Sequence, residues 1–236
     1  KVLLWKNRVE RDGAESLDLI GIPETAPSLV KSAIGKMPAL NFNENTNVLV
    51  SNAALEISGN SPFTMFVVIN PMESMSKRTH PVSFGDPTRP HAGAIFELEQ
   101  APDTKRRLDL ATGHSFDAFA GEVTFGEPQI WMARFNGGKL LDSHVEISGE
   151  RRELSADEFA ANVELSLKPD KIVIGGHGHP AHRSCISPKM HLGELLIFNH
   201  ALSDNQLEHV GSYLQSKYLI QGKYTGTLND IVFTPV

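Results

Sequence analysis

The side chains with the most suggestive spacing are histidines. His177-Gly178-His179-Pro180-Ala181-His182 sets three imidazoles at i, i+2 and i+5, and His191 follows further on. Neutral imidazoles so spaced can converge on one ion and suit zinc, copper, nickel or iron. A water-activating site of the His-x-His-x-Asp-His kind needs an aspartate where this chain has Ala181, and no alternation of strands and helices surrounds the segment. Two readings stay open: a transition-metal loop at His177, His179 and His182, or a polar loop joining two strands.

Carboxylates come next. Glu97 and Glu99 alternate in the segment FELEQAP. Residues i and i+2 of a strand share a face, so the pair is either an acid and a nucleophile or a solvated strand face. Cys185 lies near His182, but there is no Gly-x-Ser-x-Gly elbow and nothing orients a nucleophile and base. It reads as a loop thiol. No glycine-rich phosphate loop opens a helix.

The elements that must position these groups read mostly as short strands. Phe63 to Ile69 is the clearest, β-branched and aromatic. Val2 to Trp5, Ala39 to Phe42, Val48 to Val50, Val82 to Phe84, Ile130 to Phe135, Val145 to Ile147 and Lys171 to Ile174 follow the same logic. Ala94 to Leu98 and Leu108 to Ala111 read as an antiparallel pair, and Asn136-Gly137-Gly138 as a hairpin turn into a strand at Lys139 to Leu141. Residues 152–167 fit either a helical turn followed by a strand or a strand alone. One helix is predicted. Ser203 and Gln206 have capping-box spacing, Leu202 and Leu207 that of a hydrophobic staple, and Leu207, Val210 and Leu214 form an apolar stripe. The strand before it, Leu195 to Phe198, suits burial on both faces. The pattern predicts an all-β, two-sheet antiparallel sandwich with one short C-terminal amphipathic helix capping an open side.

Composition narrows the function. With 236 residues and 40% hydrophobic side chains the chain can bury a large core. Its net charge of -6 argues against nucleic-acid binding. No apolar run is long enough for a membrane span. A single cysteine excludes an internal disulfide framework. No linker-like shift divides the chain, so residues 1–236 read as one domain with its core at 27–219 and a tail or edge strand at 220–236.

The closing segment GELLIFNHALSDNQLEHVGSYLQSKY resembles that of laminin-G-like, concanavalin A-like jelly-roll domains. KMPALNFNENTNVLV resembles the family's early strand pair, SPFTMFVVINP its next core strand, and QIWMARFNGGKLLDSHVEISGE its central hairpin, all in the family's order over residues 27–219. The resemblance implies a concave and a convex sheet and calcium held by loop oxygens. The matching loop places Asn43, Glu44 and Asn45 there, but its single carboxylate departs from the family's acidic run, and the asparagines also suit local backbone bonding. Glycosidases of this fold use Glu-x-Asp-x-x-Glu, whereas here Glu99 replaces the aspartate and Pro102 the last glutamate. Trp131 matches a core aromatic. Sugar contacts are expected from polar loop residues, among them Asn43, Arg78, His80, Arg89, His91, His114, His177, His179 and Arg183.

The expectation is a non-catalytic module that recognises a glycan or polysaccharide, within a larger extracellular, cell-surface or periplasmic protein. A lyase or glycoside hydrolase on the same fold is the first alternative; the incomplete carboxylate motif counts against hydrolysis. A structural domain that contacts only neighbouring domains of a longer chain is the second.

Overall fold

In a computed structural model, the described residues are 1–7, 17–43, 46–73, 79–85, 95–100, 107–111, 117–156, 162–168, 170–176 and 187–226. They form fifteen strands and one α-helix. In chain order these are β1 (Leu4–Trp5), β2 (Leu19–Ile20), β3 (Ser28–Ile34), β4 (Met37–Phe42), β5 (Leu49–Leu55), β6 (Phe63–Pro71), β7 (Thr79–Gly85) and β8 (Ile95–Gln100). Then come β9 (Arg107–Ala111), β10 (Asp117–Glu122), β11 (Gln129–Phe135), β12 (His144–Ile147), β13 (Glu150–Arg152), β14 (Asp170–Ile174), β15 (Met190–Phe198) and α1 (Asp204–Tyr218).

The strands make two antiparallel sheets. One has eight strands in the order β1-β2-β5-β14-β7-β8-β9-β10; the other has seven in the order β13-β12-β11-β6-β15-β4-β3. The architecture is a jelly-roll sandwich. The central pairings join strands distant in sequence: β6 lies between β11 and β15, and β14 between β5 and β7.

β6, at the centre of the second sheet, is buried on both faces. All nine of its residues are buried. Phe63, Met65, Val67 and Ile69 pack between the sheets, while Phe66 and Val68 face the helix. Thr64 shares that outer face, and its hydroxyl donates to His200 O (3.1 Å) and accepts from Leu202 N–H (2.9 Å). The chain entering α1 is thereby tied to the central strand.

The helix forms as its caps predict. Ser203 Oγ accepts from Gln206 N–H, and Gln206 Oε1 accepts from Ser203 N–H at 2.8 Å. Leu202, Leu207, Val210 and Leu214 are buried against Phe66, Val68, Ile130 and Met132. α1 therefore lies across the outer face of the seven-stranded sheet rather than closing an open side of the sandwich. The chain then continues along the helix, where Ile220 and Tyr224 are buried in the same cluster. The remainder of the expected tail or edge strand, residues 227–236, lies outside the described residues.

Several sequence expectations change. Lys139 to Leu141 is not a strand: Leu140–Asp142 is a 3₁₀ turn, with Leu140 buried in the core. The β4 and β5 segments do not pair with each other but enter opposite sheets. In the described part of 152–167, Asn162 is 3₁₀-helical, Leu165 and Leu167 then enter the core, and Leu167 bridges Gly59. β3 is an additional edge strand. It meets β4 through a two-residue turn whose Gly35 and Lys36 both have positive φ, as a type I′ hairpin requires.

Candidate functional site

The eight-stranded sheet carries the main group of acidic positions. On β9, Leu108 and Leu110 point into the core, so Asp109 points to the outer face. On β7, Val82 and Phe84 do the same and leave Ser83 outward. Neither outward residue is solvated: Asp109 is 0% and Ser83 2% exposed. Ser83 donates to Gly176 O at 3.2 Å, where β14 ends. Cross-strand register sets Glu97 of β8 between Ser83 and Ala111, and Glu99 opposite Asp109. Directly opposite residues of an antiparallel pair have Cβ atoms about 4.5–5.5 Å apart. Asp109 is the member that sequence reading missed. Its signal was a lone carboxylate between two leucines in a short strand.

A second titratable group lies beneath the start of α1. Arg134 of β11 donates to Leu202 O (2.8 Å), to Asp204 Oδ1 (2.7 Å) and to His144 Nδ1 (3.0 Å). A guanidinium only donates, so Nδ1 accepts and the imidazole proton sits on Nε2. That nitrogen lies 2.9 Å from Glu146 Oε1, within ion-pair range but off line for a directed hydrogen bond. The hydrogen bond from Arg134, and then its charge, hold the Asp204 carboxyl below its ordinary pKa. Burial, and then the charge of Glu146, push the Tyr224 phenol well above its ordinary value. Through Arg134 this group ties β11 to the chain entering α1 and to the helix's first residue.

The structure places the sequence-predicted residues unevenly. His80 lies in β7, not in a loop, and is fully buried. Asn43 is exposed, and its N–H donates to Asn47 Oδ1 at 3.0 Å. Asn47 is buried, with Nδ2 directed at Thr25 O (3.2 Å) and Ala26 O (3.4 Å). Its amide thus stitches the loop to the preceding chain. Glu44, Asn45, Arg78, Arg89, His91, His114, His177, His179, His182, Arg183 and Cys185 lie outside the described residues. Trp131 is buried, as expected of a core aromatic, and its indole N–H donates to Gln129 Oε1 at 2.9 Å. Among the described residues no helix is long and apolar enough to cross a membrane.

No protein-family model matches the chain, and no curated protein matches it in sequence. Solved structures do match. The sialidase of Trypanosoma rangeli, solved with sialic acid, is similar at a TM-score of 0.57 and 12% identity, over 94% of this chain and 32% of that one. Domain 4 of an extracellular arabinanase from Geobacillus stearothermophilus, solved with arabinotriose, is similar at a TM-score of 0.51 and 14% identity, over 86% and 84%. The binding domain of Paraclostridial Mosquitocidal Protein 1 is similar at 0.55 and 14%, over 80% and 46%. The chain spans about a third of the sialidase but most of the arabinanase domain. At these identities the similarity establishes the fold, a jelly-roll β-sandwich.

Proposed function

We propose that the chain is a non-catalytic carbohydrate-binding module of the laminin-G-like, concanavalin A-like kind, acting within a larger extracellular, cell-surface or periplasmic protein. One observation carries this reading: the chain matches a single arabinanase domain over 84% of that domain's length, and that domain was solved with arabinotriose. The sialidase match reaches only about a third of the enzyme's length. The incomplete carboxylate motif at Glu97, Glu99 and Pro102 supports the same side.

A catalytic reading is favoured by one specific placement. Asp109 lies opposite Glu99 on neighbouring strands, and a retaining glycosidase needs two carboxyl groups only about 5–5.5 Å apart. The test is binding of the purified chain to a panel of neutral and acidic polysaccharides, with calcium and then with EDTA, each sample assayed for product. Saturable binding with intact polymer supports the module. Loss of binding in EDTA brings calcium at Asn43, Glu44 and Asn45 into the site. Reducing ends or unsaturated uronates transfer the assignment to a hydrolase or lyase, and neither binding nor product transfers it to a structural domain.

A further inference from the structure

The outer face of the seven-stranded sheet changes character along its length. Where α1 covers it, the outward residues are apolar: Ala39 of β4, Phe66 and Val68 of β6, Ile130 and Met132 of β11. One outward position further along, the face turns polar. Register places Asn41 of β4 opposite His191 of β15, and His191 opposite Asn70 of β6. Ser28 of β3 lies opposite Asn41 at the edge. The flanking residues Leu40, Phe42, Met190, Leu192 and Ile69 all belong to the inter-sheet core, so alternation turns this row outward. At about 4.8 Å between strands the row is roughly 14 Å long.

Its chemistry is neutral throughout: a hydroxyl, two carboxamides and an imidazole. Burial holds the His191 imidazole below its ordinary pKa of 6.5. Asn70 forms the floor at 7% exposure. Its Oδ1 and the Nδ1 of His191 are both buried without a hydrogen-bond partner, which is expensive unless something else supplies one. Ser28, Asn41 and His191 are half-buried and reach solvent.

Charged ligands do not fit this setting. The cations flanking this part of β15 are engaged, Lys217 Nζ by Glu194 Oε2 at 2.7 Å and the Tyr213 hydroxyl at 3.0 Å, and Lys189 Nζ by Glu73 Oε1. Among the described residues no three metal-ligating side chains cluster. Vacant acceptors and amide donors in a neutral row match hydroxyls, which donate and accept without charge.

We propose that Asn41, His191 and Asn70, with Ser28 at the edge, form a binding subsite for a neutral saccharide. It lies on the opposite sheet from the Glu97, Glu99 and Asp109 positions. The proposal rests on the carbohydrate-binding reading and adds a place and a ligand class to it. The test uses the whole chain labelled with ¹⁵N at histidine and titrated with arabinotriose, other neutral oligosaccharides and sialic acid. Neutral sugars are expected to shift the His191 ring resonances saturably, and sialic acid to leave them unchanged. Asn41→Ala and Ser28→Ala alter half-buried side chains, and each is expected to weaken binding, by up to about tenfold for one lost hydrogen bond. Sugar binding that leaves His191 unmoved and both variants at full affinity overturns this site but not the binding function. Sialic acid binding as tightly as the neutral sugars overturns the ligand class. No glycan binding at all overturns both readings.

Discussion

Gly211 sits inside α1, where alanine would ordinarily gain about 1 kcal/mol in helix propensity. Here a Cβ would meet the Cγ, Cδ1 and Cε1 atoms of Tyr224 well inside contact distance. The ring has little room to yield. Tyr224 is 4% exposed, Lys223 N–H donates to Ser148 O at 2.8 Å, and Gln215 Nε2 donates to Tyr224 O at 3.3 Å. Overpacking of this kind costs about 1–3 kcal/mol, so it outweighs the propensity gain. Gly211→Ala should lose about 1 kcal/mol net, which lowers Tm by about 2–4 °C for a chain of this size. With Tyr224→Ala the obstacle is gone, and adding Gly211→Ala should then raise Tm by a similar amount. Calorimetry on the four proteins of that double-mutant cycle reads the reversal directly. A Tm increase for Gly211→Ala in the otherwise unchanged chain would refute the seating of residues 220–226 on the helix.

Further outcomes follow from other contacts in the structure. Ser203→Ala removes half of the capping box and should cost about 1 kcal/mol in urea unfolding. Arg134→Ala should cost about 1–3 kcal/mol because the buried Leu202 carbonyl and His144 lose their donor; Asp204→Asn should stay within about 1 kcal/mol, since that carboxylate is 86% exposed. For His191 the folded pKa is lowered from 6.5 by burial, so the unfolded chain takes up the proton first. Its contribution is therefore complete above about pH 6.5 and is lost as pH falls from there through the lower folded value. Urea midpoints followed from about pH 8 to about pH 5 should show this decline, and His191→Gln should flatten that part of the profile.

What was readable from sequence was local. Ser203, Gln206, Leu202 and Leu207 announced the helix because caps and staples are written within a few residues. β8 and β9 were readable as a pair because a short connection joins two alternating segments. Edge strands were harder. β3 exposes Leu29 at 56% and carries Lys31, so its apolar pattern is diluted. Lys139 to Leu141 looked extended after two glycines, but Leu140 alone is drawn into the core and the chain turns around it. The helix position depended on which face of β6 remained open, which no local pattern encodes. The site was least legible of all. Asn41, Asn70 and His191 are scattered along the sequence and meet only through the β4–β15–β6 register. Asp109 joins Glu99 in the same way.

The most direct test of the central claim is a mass balance on the tightest-binding polysaccharide. The purified chain is incubated with it to saturation, and both the bound fraction and the polymer length distribution are measured. A binding module predicts saturable retention with the length distribution unchanged after long incubation. Shortened chains accumulating in proportion to protein and time would contradict it, and would return Glu97, Glu99 and Asp109 to the centre of the account as catalytic candidates.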